Sequence, residues 1–189
     1  SYLFDDSLGD SKAIDSSTNK LDVTCSGTGC PYYLSTGGHD GSGGYQFNNG
    51  QSLTLNNNLL NFGTGAFTIS AWIKTSATTG VRQERDDLIV KGDPVINGYS
   101  LSLVNSKPTV FIGSTVYTGT LSGTTAINDN QWHHIAVTRA SNGNIKIYRD
   151  GTQEATGTKS DSVTTSTSFV IGKHGTKSES FYTGLMDDL

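Results

Sequence analysis

Three segments in which apolar and polar side chains alternate constrain the fold of this chain more than any other feature. The first is Phe67–Lys74, in which Phe67, Ile69, Ala71 and Ile73 alternate with Thr68, Ser70, Trp72 and Lys74. A period of two residues is typical of a β-strand, whose successive side chains point to opposite faces. Because both faces of this segment carry bulky side chains, it is predicted to be a central strand of a β-sandwich.

The other two alternating segments, His133–Arg139 and Asn144–Asp150, are joined by a short turn that contains Asn142 and Gly143. Asn-Gly pairs adopt the positive φ angles of tight turns, so the two segments are predicted to form a hairpin. Asp150-Gly151 predicts a second hairpin, back into 153–156. The shorter predicted strands are Leu21–Thr24, Tyr45–Asn48, Ser52–Leu55, Asp87–Lys91, Tyr99–Val104, Thr109–Ile112, Ser168–Gly172 and Phe181–Asp187. A short helical turn is predicted in 56–62, and a long polar loop in 75–86.

Composition supports an all-β fold and excludes two classes of partner. Glycine, serine and threonine together supply 71 of the 189 residues, at the expense of the residue types that stabilise helices. No break in composition divides the chain, so 1–189 is predicted to be a single domain. The formal charge of −4 and the lack of Lys and Arg clusters exclude a nucleic-acid-binding protein. No apolar run is long enough to span a bilayer.

The two cysteines, Cys25 and Cys30, are separated by four small residues. Such a spacer lets their Cα atoms approach to a disulfide distance of roughly 5.5 Å. A disulfide is the favoured interpretation, and a pair of free thiols is the alternative. A zinc site would need further ligands that the four histidines do not provide at a suitable spacing. A disulfide would indicate an oxidising compartment, and hence a secreted or cell-surface protein.

An ordered series of segments resembles the laminin-G-like jelly roll of the concanavalin A-like lectin/glucanase superfamily. The series covers nearly the whole chain and consists of Tyr2–Asp6, Asp15–Asn19, Tyr45–Gly50, Ser52–Leu55, Phe67–Lys74, Leu88–Gly92, Gly98–Leu103, Asn130–Val137, Ile147–Gly151, Ile171–Gly172 and Gly184–Leu189. The resemblance implies an antiparallel β-sandwich. The sequence differs from the family pattern at Ser17-Thr18, where the family usually has Ser-Gly. The family pattern also continues beyond the Asp187-Asp188 pair, which implies a fragment of a longer extracellular protein.

The carboxylates favour a cation site over a catalytic one. Glycoside hydrolysis needs two carboxylates flanking the bond, and the Glu-x-Asp-x-x-Glu strand of the glucanase branch does not occur here. We therefore expect no enzymatic activity. The resemblance implies instead a structural calcium site where the loop 15–19 meets the chain's last residues. Its expected ligands are Asp15 and Asp187, with Asn19 and Asp188 as further candidates, and the alternative is a solvated pair of aspartates.

Lectin-type sites stack aromatic rings on sugar faces and bind the hydroxyl groups with polar loop residues. The candidate ligand-binding residues are Tyr32, Tyr33, His39, Asp40, Arg82, Tyr117 and Tyr182. For each aromatic residue the alternative is ordinary packing. Trp132 is interpreted as a plug at the end of the sandwich, and His133 and His134 as structural residues that point to opposite faces.

These observations predict a non-catalytic, secreted or surface-displayed module that binds carbohydrate or a cell-surface glycoconjugate. It would contain structural calcium and would be accessory to a larger enzyme or adhesin. The alternative is a structural or protein-interaction domain of an extracellular filament or adhesin stalk, with no affinity for sugar. Fold alone does not choose between them.

Overall fold

The chain is built almost entirely from β-strands. Its structure, a computed structural model, describes residues 1–5, 11–55, 59–78, 85–93, 97–113, 121–176 and 180–189. Within these ranges the strands are β1 (Lys12–Ala13), β2 (Val23–Thr24), β3 (Tyr32–Leu34), β4 (Gly44–Phe47), β5 (Leu53–Leu55), β6 (Phe67–Lys74), β7 (Arg85–Lys91), β8 (Tyr99–Val104), β9 (Lys107–Ile112), β10 (Leu121–Ser122), β11 (Trp132–Arg139), β12 (Asn144–Arg149), β13 (Thr152–Thr158), β14 (Phe169–Ile171) and β15 (Gly184–Asp187).

The strands form two antiparallel sheets that pack face to face. The eight-stranded sheet has the order β1-β2-β5-β14-β7-β8-β9-β10, and the seven-stranded sheet has the order β13-β12-β11-β6-β15-β4-β3. The predicted antiparallel β-sandwich is therefore confirmed. The described residues contain one helical segment, a 3-10 turn at Gly27–Gly29, and no helix that could cross a membrane.

The core lies between the sheets because alternate side chains of each strand point inward. In the seven-stranded sheet these are Ala71 and Ile73 of β6 and Ile135 and Val137 of β11, all at most 1% exposed. The eight-stranded sheet contributes buried residues that include Ile89, Leu101, Leu103, Val110 and Ile171. Burial of one such side chain stabilises the fold by about 1.5–3 kcal/mol, so the inward alternation selects this register.

Both predicted hairpins are present. Strands β11 and β12 pair from Ile135 with Arg149 to Arg139 with Ile145, and their turn contains Gly143 at φ +84°. Strands β12 and β13 are joined by Asp150 and Gly151, which both have positive φ angles. The predicted disulfide is also present, with the Cα atoms of Cys25 and Cys30 5.2 Å apart.

The structure corrects several predicted boundaries. Three strands were not predicted, β1, β3 and β10, because they are short and, unlike Leu21–Thr24 or Ser52–Leu55, do not lie in an alternating segment of the sequence. Arg85 and Asp86 belong to β7 and not to the preceding loop. The charge of Arg85 is accommodated on this strand because its Nε lies 2.9 Å from Oδ1 of Asp87. Phe181 lies outside β15 and forms only an isolated bridge with Asp87. The described part of the predicted turn at 56–62 is not helical.

Gly172 provides a test of the packing between β14 and β4. Its φ is +92°, and a Cβ atom there would lie 2.6 Å from the Phe47 ring. We expect Gly172→Ala to lower the free energy of unfolding by about 3 kcal/mol, through backbone strain and overpacking. Gly151→Ala is the matched control, because Gly151 has φ +78° with open space around it, and should cost only about 1 kcal/mol. Urea unfolding followed by tryptophan fluorescence measures both, and equal losses would contradict the clash.

Candidate functional site

The register of three strands places aromatic and acidic residues together on the outer face of the seven-stranded sheet, the face that points away from the core. Trp72 of β6 pairs with His134 of β11 on one side and with Asp187 of β15 on the other. Directly paired residues share a face, and Ile73, the next residue after Trp72, points into the core. The side chains of Trp72, His134 and Asp187 therefore all project outward.

His39 reaches this face from the loop before β4 and completes an aromatic cluster, defined here as His39, Trp72, Trp132 and His134. The His39 and Trp72 rings are stacked, with centroids 4.2 Å apart and planes 9° apart. The Trp132 ring lies edge-on to His39 at 6.4 Å, and the His134 ring lies 5.4 Å from Trp72. All four residues are half-buried, so the cluster lies at the surface of the sheet and not in the core.

Carboxylates surround His39 on its other side. Nδ1 of His39 lies 2.9 Å from Oδ2 of Asp187 and 3.6 Å from Oδ2 of Asp188. The backbone N–H of His39 donates to the same Asp187 oxygen at 3.0 Å. One ligand atom from each of His39, Asp40 and Asp187 lies within 4.8 Å of the others. Imidazole nitrogen and carboxylate oxygen are both ligands for divalent cations, so this acidic cluster of His39, Asp40, Asp187 and Asp188 can hold one.

One carboxyl of the acidic cluster, that of Asp188, lies in surroundings that disfavour its charged form. Burial, and then the neighbouring charge of Asp187, raise the pKa of Asp188 above its ordinary value, against a smaller opposing effect of His39. Asp40 and Asp5 add to the rise in the pKa of Asp188. A bound cation would relieve this repulsion.

Asp15, the other expected calcium ligand, lies in a different environment. It is 3% exposed, and its carboxylate accepts hydrogen bonds from the backbone N–H groups of Ser17 and Leu21, both at 2.9 Å. The Ser17 hydroxyl and the nitrogen of Ser1 donate to it as well. Asn19 is exposed beside it, and its backbone N–H donates to Ser17 Oγ. The structure thus separates the expected ligands, since Asp15 holds its own loop and does not belong to the cation-sized group around Asp187.

The predicted ligand-binding residues are divided between surface and interior. Tyr32 is 54% exposed, whereas Tyr182 is fully buried and its hydroxyl donates to the Leu185 carbonyl at 2.8 Å. Tyr182 has no exposed surface, and this burial raises the pKa of its hydroxyl, so the structure places the residue in the core and away from the surface where a ligand would bind. Tyr33 is half-buried, edge-on to Tyr45, and donates to the Asp5 carbonyl. The other two predicted residues, Arg82 and Tyr117, lie outside the described residues.

Sequence reasoning missed the two tryptophans of the aromatic cluster. Trp132 is not a plug at the end of the sandwich, because it pairs with Lys74 and shares the outer face with Trp72. The available signal was Trp72 itself, a large aromatic side chain on the otherwise polar face of the alternating segment Phe67–Lys74. The two histidines do point to opposite sides. His133 lies 2.8 Å from Asp150 while His134 packs near Trp72.

Comparison with known families agrees with this architecture. The family model described as the concanavalin A-like lectin/glucanases superfamily, Laminin_G_3, matches residues 46–189. The chain belongs to this superfamily. A search of curated proteins found no match for this chain.

Several solved structures share the fold of this superfamily member. The binding domain of Paraclostridial Mosquitocidal Protein 1 is 18% identical with a TM-score of 0.72, covering 98% of this chain and 47% of that one. A second structure is domain 4 of AbnA, a GH43 extracellular arabinanase from Geobacillus stearothermophilus, in complex with arabinotriose. It is 22% identical with a TM-score of 0.61, and the match covers 87% of this chain and 74% of that one. The botulinum neurotoxin serotype G binding domain is 17% identical with a TM-score of 0.62, and the match covers 92% of this chain and 43% of that one. The chain thus spans about half the length of the two toxin domains.

The environment of Asp15 predicts how stability depends on pH. Burial raises the pKa of this carboxyl, but the donors from Leu21 and Ser17 outweigh burial and hold the pKa below its ordinary value. A depressed pKa stabilises the fold above about pH 4, and this stabilisation is lost as the pH falls further. We expect Asp15→Asn to lower the free energy of unfolding by about 1–3 kcal/mol at pH 7 and to flatten its decline between pH 5 and 2.

Urea titrations at several pH values measure this effect. Asp40→Asn is the control, because Asp40 is exposed. If the two variants lost the same free energy with the same pH profile, the hydrogen bonds to Asp15 would not be the cause.

Proposed function

We propose that this domain is a non-catalytic module of a secreted or surface-displayed protein, and that it binds carbohydrate at the aromatic cluster. The observation that carries the proposal is the stacked His39–Trp72 pair beside Trp132, half-exposed on an outer sheet face and bordered by carboxylates. The C–H faces of a sugar ring pack on aromatic rings, and its hydroxyl groups donate to carboxylates such as Asp40 and Asp188.

The same face has room for more than one sugar. Strand pairing aligns Tyr32, Gln46, Leu185, Lys74 and Trp132 in one row across five strands. Four strand spacings amount to about 19 Å between the two aromatic residues at its ends. This length favours an oligosaccharide, and the complex of AbnA domain 4 with arabinotriose supports that class of ligand.

A binding role is favoured over a hydrolytic one by the state of the carboxylates. Glu154 is the only glutamate among the residues that the structure describes. Its carboxylate accepts a hydrogen bond from Arg149 Nε at 2.8 Å and another from the backbone N–H of Thr124. Its carboxylate is therefore engaged in the structure of the sheet edge. Two of the solved proteins with this fold are themselves called binding domains, which supports a binding role for this chain.

One observation favours the second candidate, a protein-interaction domain without affinity for sugar. The edge strand β3 exposes Tyr32 and Leu34, at 54% and 41%. An exposed apolar edge strand can pair with a strand of another protein. Under this alternative the chain would bind no glycan and would associate through β3.

The carbohydrate proposal predicts which side chains a glycan array will depend on. We expect binding to an oligosaccharide, with Trp132→Ala weakening the affinity by about tenfold or more because a stacking surface is lost. Tyr32→Ala should lower the affinity for long oligosaccharides more than the affinity for short ones. Tyr148→Ala is the matched control, an aromatic residue that pairs with Ala136 on the same face. If the wild-type chain bound no glycan on the array, the proposal would be overturned. If the wild-type chain associated with itself and Leu34→Asp did not, the alternative would be supported.

We further propose that calcium binds at the acidic cluster, with Asp187, Asp188 and Asp40 as oxygen ligands near His39. Calcium in 100-fold excess over its Kd should raise the Tm by about 5 °C or more, and a chelator should reverse the rise. Asp187→Asn should abolish the response, whereas Asp15→Asn should keep it, because Asp15 lies outside the cluster. Differential scanning calorimetry provides the measurement. If neither calcium nor chelator changed the Tm of the wild-type chain, the site would be excluded.

A further inference from the structure

A cavity of about 240 Å³ lies on the outer face of the seven-stranded sheet, where β6 ends and β15 begins. Strand pairing places Gln46 of β4, Leu185 of β15 and Lys74 of β6 side by side in its lining. The residues next to the last two along the chain, Met186 and Ile73, are buried in the core. The side chains of Leu185 and Lys74 therefore point outward, to the face on which the cavity lies. We call this cavity the Lys74 pocket.

The rim of the Lys74 pocket is held in place by hydrogen bonds between three loops. Segment 75–77, which follows β6, lines one part of the pocket, and Asn130, from the loop before β11, lines another. The backbone N–H of Asn130 donates to the Thr75 carbonyl at 2.9 Å. The Thr75 hydroxyl in turn donates to the Thr183 carbonyl at 2.7 Å. The pocket is therefore formed before any ligand arrives, as small-molecule sites usually are.

The lining of the Lys74 pocket offers hydrogen-bond donors and one cation. Lys74 carries an ammonium group, Asn130 an amide and Ser76 a hydroxyl, whereas no aspartate or glutamate lines the pocket. Among the residues that the structure describes, no ion pair includes Lys74. Because Lys74 is half-buried, an anion bound beside it would compensate a charge that is partly removed from water.

The surroundings of the pocket limit the charge and the size of an occupant. Asp187 of the acidic cluster follows Leu185 by two residues, roughly 7 Å along the strand, which is within the Debye length of about 8 Å at physiological ionic strength. The whole chain carries a formal charge of −4. Both features disfavour a polyanion, so a single anionic group at Lys74 is the better fit. The volume is below the roughly 300–1,000 Å³ of sites for drug-sized ligands, so one sugar or one substituent fills it.

The Lys74 pocket adjoins the aromatic cluster. Trp132 pairs directly with Lys74, and paired residues on adjacent strands lie on the same face. An oligosaccharide that stacks one sugar on the Trp132 ring therefore brings a neighbouring sugar to the pocket.

We propose that the Lys74 pocket binds the anionic group of an acidic sugar, a carboxylate or a sulfate ester, while Trp132 stacks on the sugar beside it. This inference rests on the proposed function, because it names the class of oligosaccharide that the aromatic cluster binds. The Lys74 ammonium pairs with the anionic group, and the Asn130 amide and the Ser76 hydroxyl donate to its remaining oxygens. A neutral sugar in the same place would leave the ammonium without a counter-charge.

The test is a glycan array of matched sets. Each set contains a neutral oligosaccharide, the same backbone with one hexuronic acid, and the same backbone with one sulfate ester. We expect an acidic member to bind about tenfold more tightly than its neutral parent, because it adds one charge-assisted contact. This preference should decline as sodium chloride is added. The two acidic arms distinguish a carboxylate ligand from a sulfate ligand.

Chain variants locate the preference at Lys74. Lys74→Met keeps the apolar stem but removes the charge, and should bring the ratio of acidic to neutral affinity close to one. Lys74→Arg keeps the charge and should keep the preference. Lys146→Met is the matched control, because Lys146 is an exposed lysine that pairs with Thr138 on the same face, and it should leave the ratio unchanged. Circular dichroism establishes that each variant is folded. If Lys74→Met does not fold, Lys74→Gln takes its place.

The outcomes separate this inference from the proposed function. If the wild-type chain bound no glycan at all, the proposed function would be overturned and this inference with it. If it bound neutral and acidic members equally, this inference alone would be overturned and carbohydrate binding would stand. An acidic preference that survives in Lys74→Met would also overturn the inference, because the anionic group would then be bound elsewhere.

Discussion

The register between β6 and its two neighbours, β11 and β15, is the constraint on which the rest of the structure depends. Because side chains alternate between faces, a slip of one residue would exchange the core side chains of β6 for its polar ones. Ala71 and Ile73 must face the core, so Trp72 must face outward. Once that choice is made, pairing brings His134 and Asp187 to either side of Trp72. The positions of the candidate site residues thus follow from the way β6 packs its alternate side chains into the core.

Two kinds of acidic group result from this arrangement. Asp15 is surrounded by donors from its own loop, and its charge stabilises the local fold. Asp188 follows Asp187 at the end of β15, where burial and the neighbouring charge of Asp187 raise the pKa of Asp188. The carboxylate of Asp15 already accepts donors from the protein itself, whereas a cation near Asp188 would relieve the repulsion that raises the pKa of Asp188. This contrast supports the proposal of calcium at the end of β15 over a site in the loop at Asp15.

How far the sequence predicted the fold differs from one element to the next. The long strands β6, β11 and β12 showed a clear period of two, and the glycine turns joined the hairpins where expected. The short strands β1, β3 and β10 were not predicted, because they do not lie in an alternating segment of the sequence and are defined only by their pairing with a neighbouring strand. The same limit applied to the site. Tyr32 and His39 are at the surface, as a ligand contact requires, whereas Tyr182 is buried, and local sequence does not distinguish these environments.

By itself, the sequence determined the all-β class, the hairpins and the family and favoured the disulfide, since alternation, turn residues and short spacings are local properties of the chain. Tertiary structure alone decided which polar and aromatic residues meet. His39 and Asp187 are 148 positions apart, and their contact exists because β15 packs against β6 while the loop before β4 folds over the outer face. Likewise, Trp132 became a surface residue and not a plug through its pairing with Lys74. Such contacts depend on strand order in the sheet, which no local pattern encodes.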